Sequence, residues 1–175
     1  MALSFESARL NVSEITGDDD TCLLERAALL DGILGILTPA VVENLPPYFH
    51  DVDTKESAQQ WLDKMLSESR LCLVTSTSGT LMGFLFAYVE NGRDAHIGYL
   101  LKETFWGKGF ASELLQGFIT HVTKTESWIA LVGGVDTSNV ASAHLLKKLG
   151  FVEQPAGPGD VVFYVYTLPR PFVKQ

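Results

Sequence analysis

The stretch Phe105-Trp106-Gly107-Lys108-Gly109-Phe110-Ala111-Ser112 sets two glycines and a lysine between a strand-like run and a helix-like run. Gly107 and Gly109 permit turn conformations and close backbone approach, so several N–H groups can face one anion at the positive end of the following helix. Lys108 can neutralise phosphate as a point charge, and Ser112 can cap the helix or contact a phosphate oxygen. Other phosphate loops fit less well. A Walker loop needs Ser or Thr after its lysine, where Gly109 stands, and a dinucleotide fingerprint needs a third glycine where Ser112 stands.

The flanking elements must hold this loop. Residues 95–101 are short and apolar, as a buried strand would be, and Leu115, Phe118, Ile119 and Val122 repeat at helical spacing. Upstream, residues 4–15 read as a first strand through Phe5, Leu10, Val12 and Ile15. Asp18, Asp19 and Asp20 then supply helix-capping charges. Cys22, Leu23, Ala27, Leu30, Ile33 and Leu34 offer the buried side of the helix that follows, which Gly32 and Gly35 weaken near its end. Residues 38–52, with Pro39, Pro46 and Pro47, read as an irregular connection or a short helix, able to border a substrate pocket or simply to cross the surface. Asp53 and Glu56 flank the start of another helix, whose core stripe is Ala58, Trp61, Leu62 and Met65. Residues 71–76 and 81–89 predict a hairpin about Thr77-Ser78-Gly79-Thr80, and Glu90-Asn91-Gly92-Arg93-Asp94 makes the next turn. Later, residues 128–135 predict a strand and residues 140–149 a helix with Ser142, Leu145, Leu146 and Leu149 on one face. Gly150 is its stop, and residues 151–154 and 161–168 complete the sheet.

With 175 residues, 46% apolar and 19% charged, the chain suits a single domain, residues 1–175. No apolar run has the length of a membrane span and the first residues lack a signal-peptide pattern, so a cytoplasmic location is expected. Cys22 and Cys72 have neither disulfide nor zinc spacing, and no metal is expected. A formal charge of −8 argues against nucleic-acid or anionic-membrane partners and leans towards a cationic or amine ligand.

In order along the chain, Ile97-Gly98-Tyr99, Trp106-Gly107-Lys108-Gly109-Phe110-Ala111, Asn139 with Ser142, and Lys148-Leu149-Gly150-Phe151 resemble the GNAT superfamily of N-acetyltransferases. The likeness runs from Ala8-Arg9-Leu10 to the closing strands and has the flavour of the RimJ/RimL-like, ribosomal-protein N-terminal acetyltransferase branch. It implies acetyl-CoA as cosubstrate. It also implies an α/β (α+β) fold, with a mixed, mostly antiparallel sheet of about seven strands flanked by helices. The fourth and fifth strands would splay to admit the pantetheine arm. The family loop is usually Gln/Arg-x-x-Gly-x-Gly/Ala, and Thr104 departs from it at the basic or amide position. Residues 106–112 would hold the CoA pyrophosphate, and Asn139 would touch the pantetheine.

Acetyl transfer to an amine needs a base, an oxyanion donor and reprotonation of the leaving thiolate. The resemblance places the oxyanion donor at the backbone N–H of Tyr99 or Leu100. For the base, Asp94 and His96 alternate onto one strand face, with Glu90 slightly earlier. Asp94 matches a position where some relatives carry a catalytic glutamate, whereas an imidazole, titrating near about 6.5, suits proton transfer at neutral pH and ranks first. For the acid, many relatives place a tyrosine where this chain has Leu146. Ser142 matches a serine proposed for that role in the ribosomal-protein branch, and water is the alternative. The acceptor stays open between a protein N-terminus and a small amine. Exposed sheet edges and family habit allow a homodimer. A CoA-binding regulatory or structural module with weakened chemistry is the competing reading.

Overall fold

Thr54 starts a helix with a reciprocal side-chain cap. In a computed structural model that describes residues 2–16 and 23–170, its hydroxyl accepts from the Ser57 N–H at 3.0 Å while Ser57 Oγ accepts from the Thr54 N–H at 2.9 Å. This reciprocal cap satisfies two groups that the first helical turn would leave open. The helix thus starts between Asp53 and Glu56, as expected, with Thr54 as its cap. Asp18, Asp19, Asp20 and Cys22 lie outside the described residues.

The helices are α1 (Leu23–Ile36), α2 (Pro39–Val42), α3 (Lys55–Glu68), α4 (Phe110–Thr125) and α5 (Val140–Lys148). The strands are β1 (Ser4–Glu6), β2 (Leu10–Glu14), β3 (Arg70–Ser76), β4 (Leu81–Glu90), β5 (Asp94–Leu101), β6 (Ala130–Asp136), β7 (Val152–Glu153) and β8 (Val161–Thr167). They form one mixed sheet in the order β1-β2-β3-β4-β5-β6-β8-β7. Pairing is antiparallel at β1–β2, β2–β3, β6–β8 and β7–β8, and parallel at β5–β6. This is the mixed, mostly antiparallel α/β fold expected, with one strand more. The expected first strand folds back at Ser7-Ala8-Arg9, where the Ser7 N–H donates to the Leu10 carbonyl at 2.9 Å. The strands expected to splay are β5 and β6. Their ladder registers Asp94–Ile97 on Ala130–Gly133, after which β5 runs on to Leu101 and β6 to Asp136.

The chain divides into two compact units, Met1–Phe86 with Tyr99–Ala111, and Ala87–Gly98 with Ser112–Gln175. The first is built on the α3 stripe. Ala58, Trp61, Leu62 and Met65 are all buried, together with Ile33, Ile36, Phe49, Phe84 and Leu100. The Trp61 ring stands edge-on to Phe49 at 5.7 Å and to Phe84 at 5.3 Å. Each such side chain contributes roughly 2 kcal/mol by leaving water. Helix α1 continues through Gly32 despite its low propensity, and a Cβ there would stand 2.5 Å from Leu81 Cδ2, the end of a side chain that would have to shift. Ala27, expected on its buried side, is exposed. Residues 38–52 hold α2 and a 3-10 turn at Pro47–Phe49, each with proline in its opening positions, where a missing N–H costs nothing. At Gly83 a Cβ would overlap the Leu100 carbonyl oxygen, so only glycine lets the two backbones meet.

In the second unit, Leu114, Leu115, Phe118 and Val122 bury one face of α4, and the Phe118 ring lies 6.3 Å from Trp128. Helix α5 ends in a Schellman motif. Gly150 adopts φ +104, its N–H donates to the Lys147 carbonyl, and the Phe151 N–H reaches the Leu146 carbonyl. Leu146 is buried, whereas Ser142, Leu145 and Leu149 are only half-buried, which narrows the expected face.

Candidate active site

Both glycines of the loop hold left-handed backbone, Gly107 at φ +71 and Gly109 at φ +81. A Cβ on Gly107 would meet nothing within 4 Å, so conformation rather than space requires glycine there. The loop is held at both ends. The Trp106 indole N–H donates to the Leu101 carbonyl at 2.9 Å, and the Phe105 and Phe110 rings meet edge to face at 5.9 Å. Phe110 is the first residue of α4, which puts Gly109 at the capping position with no side chain to close the helix end. The arrangement is a backbone cradle at a positive helix end, and it suits a phosphate. Lys108 is exposed on it, Thr104 sits exposed in the preceding 3-10 turn Glu103–Phe105, and Ala111 continues the helix.

Ser112 is not the cap. It is already inside α4, and its Oγ accepts from Gln116 Nε2 at 3.1 Å. On β5, the Leu100 side chain is in the core of the first unit and Tyr99 is half-buried.

At the other end of β5, Asn91 and Gly92 take φ +53 and +68, the pair of left-handed residues that reverses a hairpin tightly. His96 Nε2 lies 3.2 Å from Glu90 Oε2, and the Tyr88 ring stands 6.2 Å from the imidazole. The carboxylate that meets His96 is thus Glu90, while Asp94 is exposed at the start of β5. Glu90 carries no local sign of this partnership beyond its place at a turn. The hairpin creates it.

Asn139 caps α5, its Oδ1 accepting from the Ser142 N–H at 3.2 Å. Asp136 Oδ1 accepts from the Ser138 N–H at 2.9 Å and from its hydroxyl at 2.6 Å. These bonds from Ser138 hold the Asp136 carboxyl below its ordinary range. Leu146, which stands where the resemblance would have put a tyrosine, is apolar and buried. Burial and the nearby Glu14 charge push the Cys72 thiol up to about 12, so it is no nucleophile at neutral pH. Among the described residues no three His, Cys, Asp or Glu side chains group as metal ligands, and no helix is long and apolar enough to cross a membrane.

One residue that touches the loop stands where the family likeness begins, with no role assigned to it from the sequence. Arg9 Nη1 donates to the Lys108 carbonyl at 3.0 Å, across ninety-nine positions of sequence.

Known proteins share this sequence pattern and this architecture. A family model described as an acetyltransferase (GNAT) domain matches residues 24–152. An uncharacterized N-acetyltransferase, p20, of Bacillus licheniformis is 31% identical over 117 residues. That match covers 63% of this chain and 65% of the relative, so it spans a little under two thirds of that protein's length. RimL, a ribosomal alpha-N-protein acetyltransferase solved with coenzyme A, superposes with a TM-score of 0.74 at 19% identity, covering 93% of this chain and 96% of its own. Spermidine N-acetyltransferase from Vibrio cholerae, solved with CoA and spermine, gives 0.70 at 15% identity, covering 93% and 97%.

Proposed function

The chain belongs to the GNAT acetyltransferase family, and from that premise we propose that it moves the acetyl group of acetyl-CoA directly onto a primary amine. The observation that carries this reading is the glycine cradle, in which Gly107 and Gly109 hold left-handed backbone where α4 begins. Residues 106–111 would take the pyrophosphate on backbone N–H groups, with Lys108 as a mobile counter-charge. Asn139, whose Oδ1 is engaged by its own helix, would offer its amide NH2 to the pantetheine.

In the transfer, the amine nitrogen attacks the thioester carbonyl, its proton leaves to a base, and the carbon–sulfur bond breaks. His96 is the proposed base, directly or through water. Glu90 accepts from its ring N–H when that nitrogen is protonated, which fixes the ring and supports the imidazolium as it forms. Asp94 is the weaker candidate, because it does not share that contact. The N–H of Tyr99 or Leu100 would hold the oxyanion, and Ser142 or water would return a proton to the CoA thiolate.

The acceptor classes are a protein N-terminus, the class that RimL acetylates, and a small amine, the class that the spermidine enzyme acetylates. The net charge of −8 favours a cationic acceptor. The chain is proposed to act in the cytoplasm as one catalytic domain, without nucleic acid or membrane, alone or as a homodimer that sedimentation equilibrium would identify. Buried Leu146, in place of a phenol, supports one second reading: a CoA-binding module with little turnover.

Release of CoA thiol from acetyl-CoA, followed across polyamines, aminoglycosides, amino acids and N-terminal peptides, separates the two. Turnover with any of them supports the transferase, whereas tight CoA binding with no turnover supports the module. For the active acceptor, His96→Ala should lower kcat at neutral pH by roughly a hundredfold, with little change in acceptor KM. A pH profile identical to wild type would leave His96 a structural residue.

A further inference from the structure

We propose that Arg9 is a positioning residue of the phosphate loop, which turns the Gly109 N–H towards the anion by gripping the carbonyl on the other side of the same peptide. Arg9 sits in the turn between β1 and β2, within the same compact unit as residues 99–111. One side chain there meets consecutive residues of the loop. Its Nη1 donates to the Lys108 carbonyl at 3.0 Å, a Cβ on Gly109 would stand 3.5 Å from its Nη2, and its guanidinium carbon lies 4.1 Å from the centre of the Phe110 ring.

Peptide planarity makes the consequence directional. In a trans peptide the carbonyl and the following N–H point to opposite sides, so anchoring the Lys108 carbonyl on Arg9 aims the Gly109 N–H away from Arg9. The charged donor also polarises that peptide, which strengthens its N–H as a donor, and its positive charge adds to that of the helix end. Gly109 has no side chain of its own to restrain its left-handed backbone, and the bond from Arg9 restrains the peptide just before it. Arginine suits the task because its planar fork can bond a carbonyl and stack on a ring together, whereas lysine offers a single charged point.

The inference rests on the reading of the loop as the CoA phosphate site, and the experiment keeps the two apart. CoA is titrated calorimetrically into wild type, Arg9→Ala, Arg9→Lys and Gly109→Val, and the Gly109 amide proton is followed by NMR in the first three. Arg9 is exposed, so melting curves of its variants should stay near wild type. Arg9→Ala should weaken CoA about tenfold and shrink the downfield move of the Gly109 amide proton on CoA binding, with Arg9→Lys recovering only part of each. CoA affinity within twofold of wild type, or an unchanged Gly109 shift, overturns the role of Arg9 while leaving the loop reading intact. Undiminished CoA affinity in Gly109→Val overturns the loop reading itself.

Discussion

Two helices of this chain begin in opposite ways. Helix α5 is closed by its own side chains: Asn139 Oδ1 takes the Ser142 N–H, and Asp136 just before it takes the N–H and hydroxyl of Ser138. Helix α4 is entered through glycines at φ +71 and +81, and Gly109 brings no side chain to its capping position. A capped helix end stabilises the fold by its own contacts, whereas an end entered through glycines presents backbone to a ligand. The difference separates two of the motifs that carry the family likeness. The glycine loop has the form of a binding device, while the Asn139 motif is, as a piece of structure, a complete cap.

The largest expected effect breaks the first half of that contrast. Gly109→Val places a β-branched residue in left-handed backbone and a Cβ near Arg9, and should cost roughly a hundredfold or more in CoA affinity, as several charge-assisted N–H contacts are lost together. Calorimetry reads the affinity, and circular dichroism should show the fold retained.

Next, Asn139→Ala should lower stability by about 1 kcal/mol, the ordinary value of an N-cap, measured by urea unfolding. If the residue also serves pantetheine, KM for acetyl-CoA rises several-fold as well. A stability loss with unchanged KM would make Asn139 a cap and nothing more.

The smallest effect is a pH dependence confined to the α5 entrance. Because the folded pKa of Asp136 is depressed, its contribution is present above the unfolded value and is lost as pH falls through the folded one. Hydrogen exchange at the Ser138 amide, corrected for intrinsic rate, should therefore lose protection in acid, and Asp136→Asn should remove that pH dependence.

What the sequence disclosed follows the same division between local and distant causes. The α3 stripe, the Asn91-Gly92 reversal and the Gly150 stop were legible because each rests on residues within one or two turns of chain. The break at Ser7-Ala8-Arg9 was not, since that tripeptide holds none of the glycine, proline or asparagine that usually marks a hairpin. Nor was the passage of α1 through Gly32, where the missing side chain makes room for Leu81. In the candidate site the loop could be read from its glycines, but the partner of His96 could not. Glu90 and Asp94 both stand near a turn, and only the folded hairpin selects Glu90. The hold of Arg9 on the loop depends wholly on tertiary structure.

Gly83 also limits how such a protein can diversify. Since any side chain there would drive into the Leu100 carbonyl, and the Leu100 side chain is locked in the core, β4 and β5 cannot be re-spaced at this point by a single substitution. The connections keep freedom at their exposed positions: within residues 38–52, Val42, Phe49 and Val52 belong to the core, whereas Glu43 and Pro46 are exposed. The strand pair is a fixed frame, and invention is left to the connections around it.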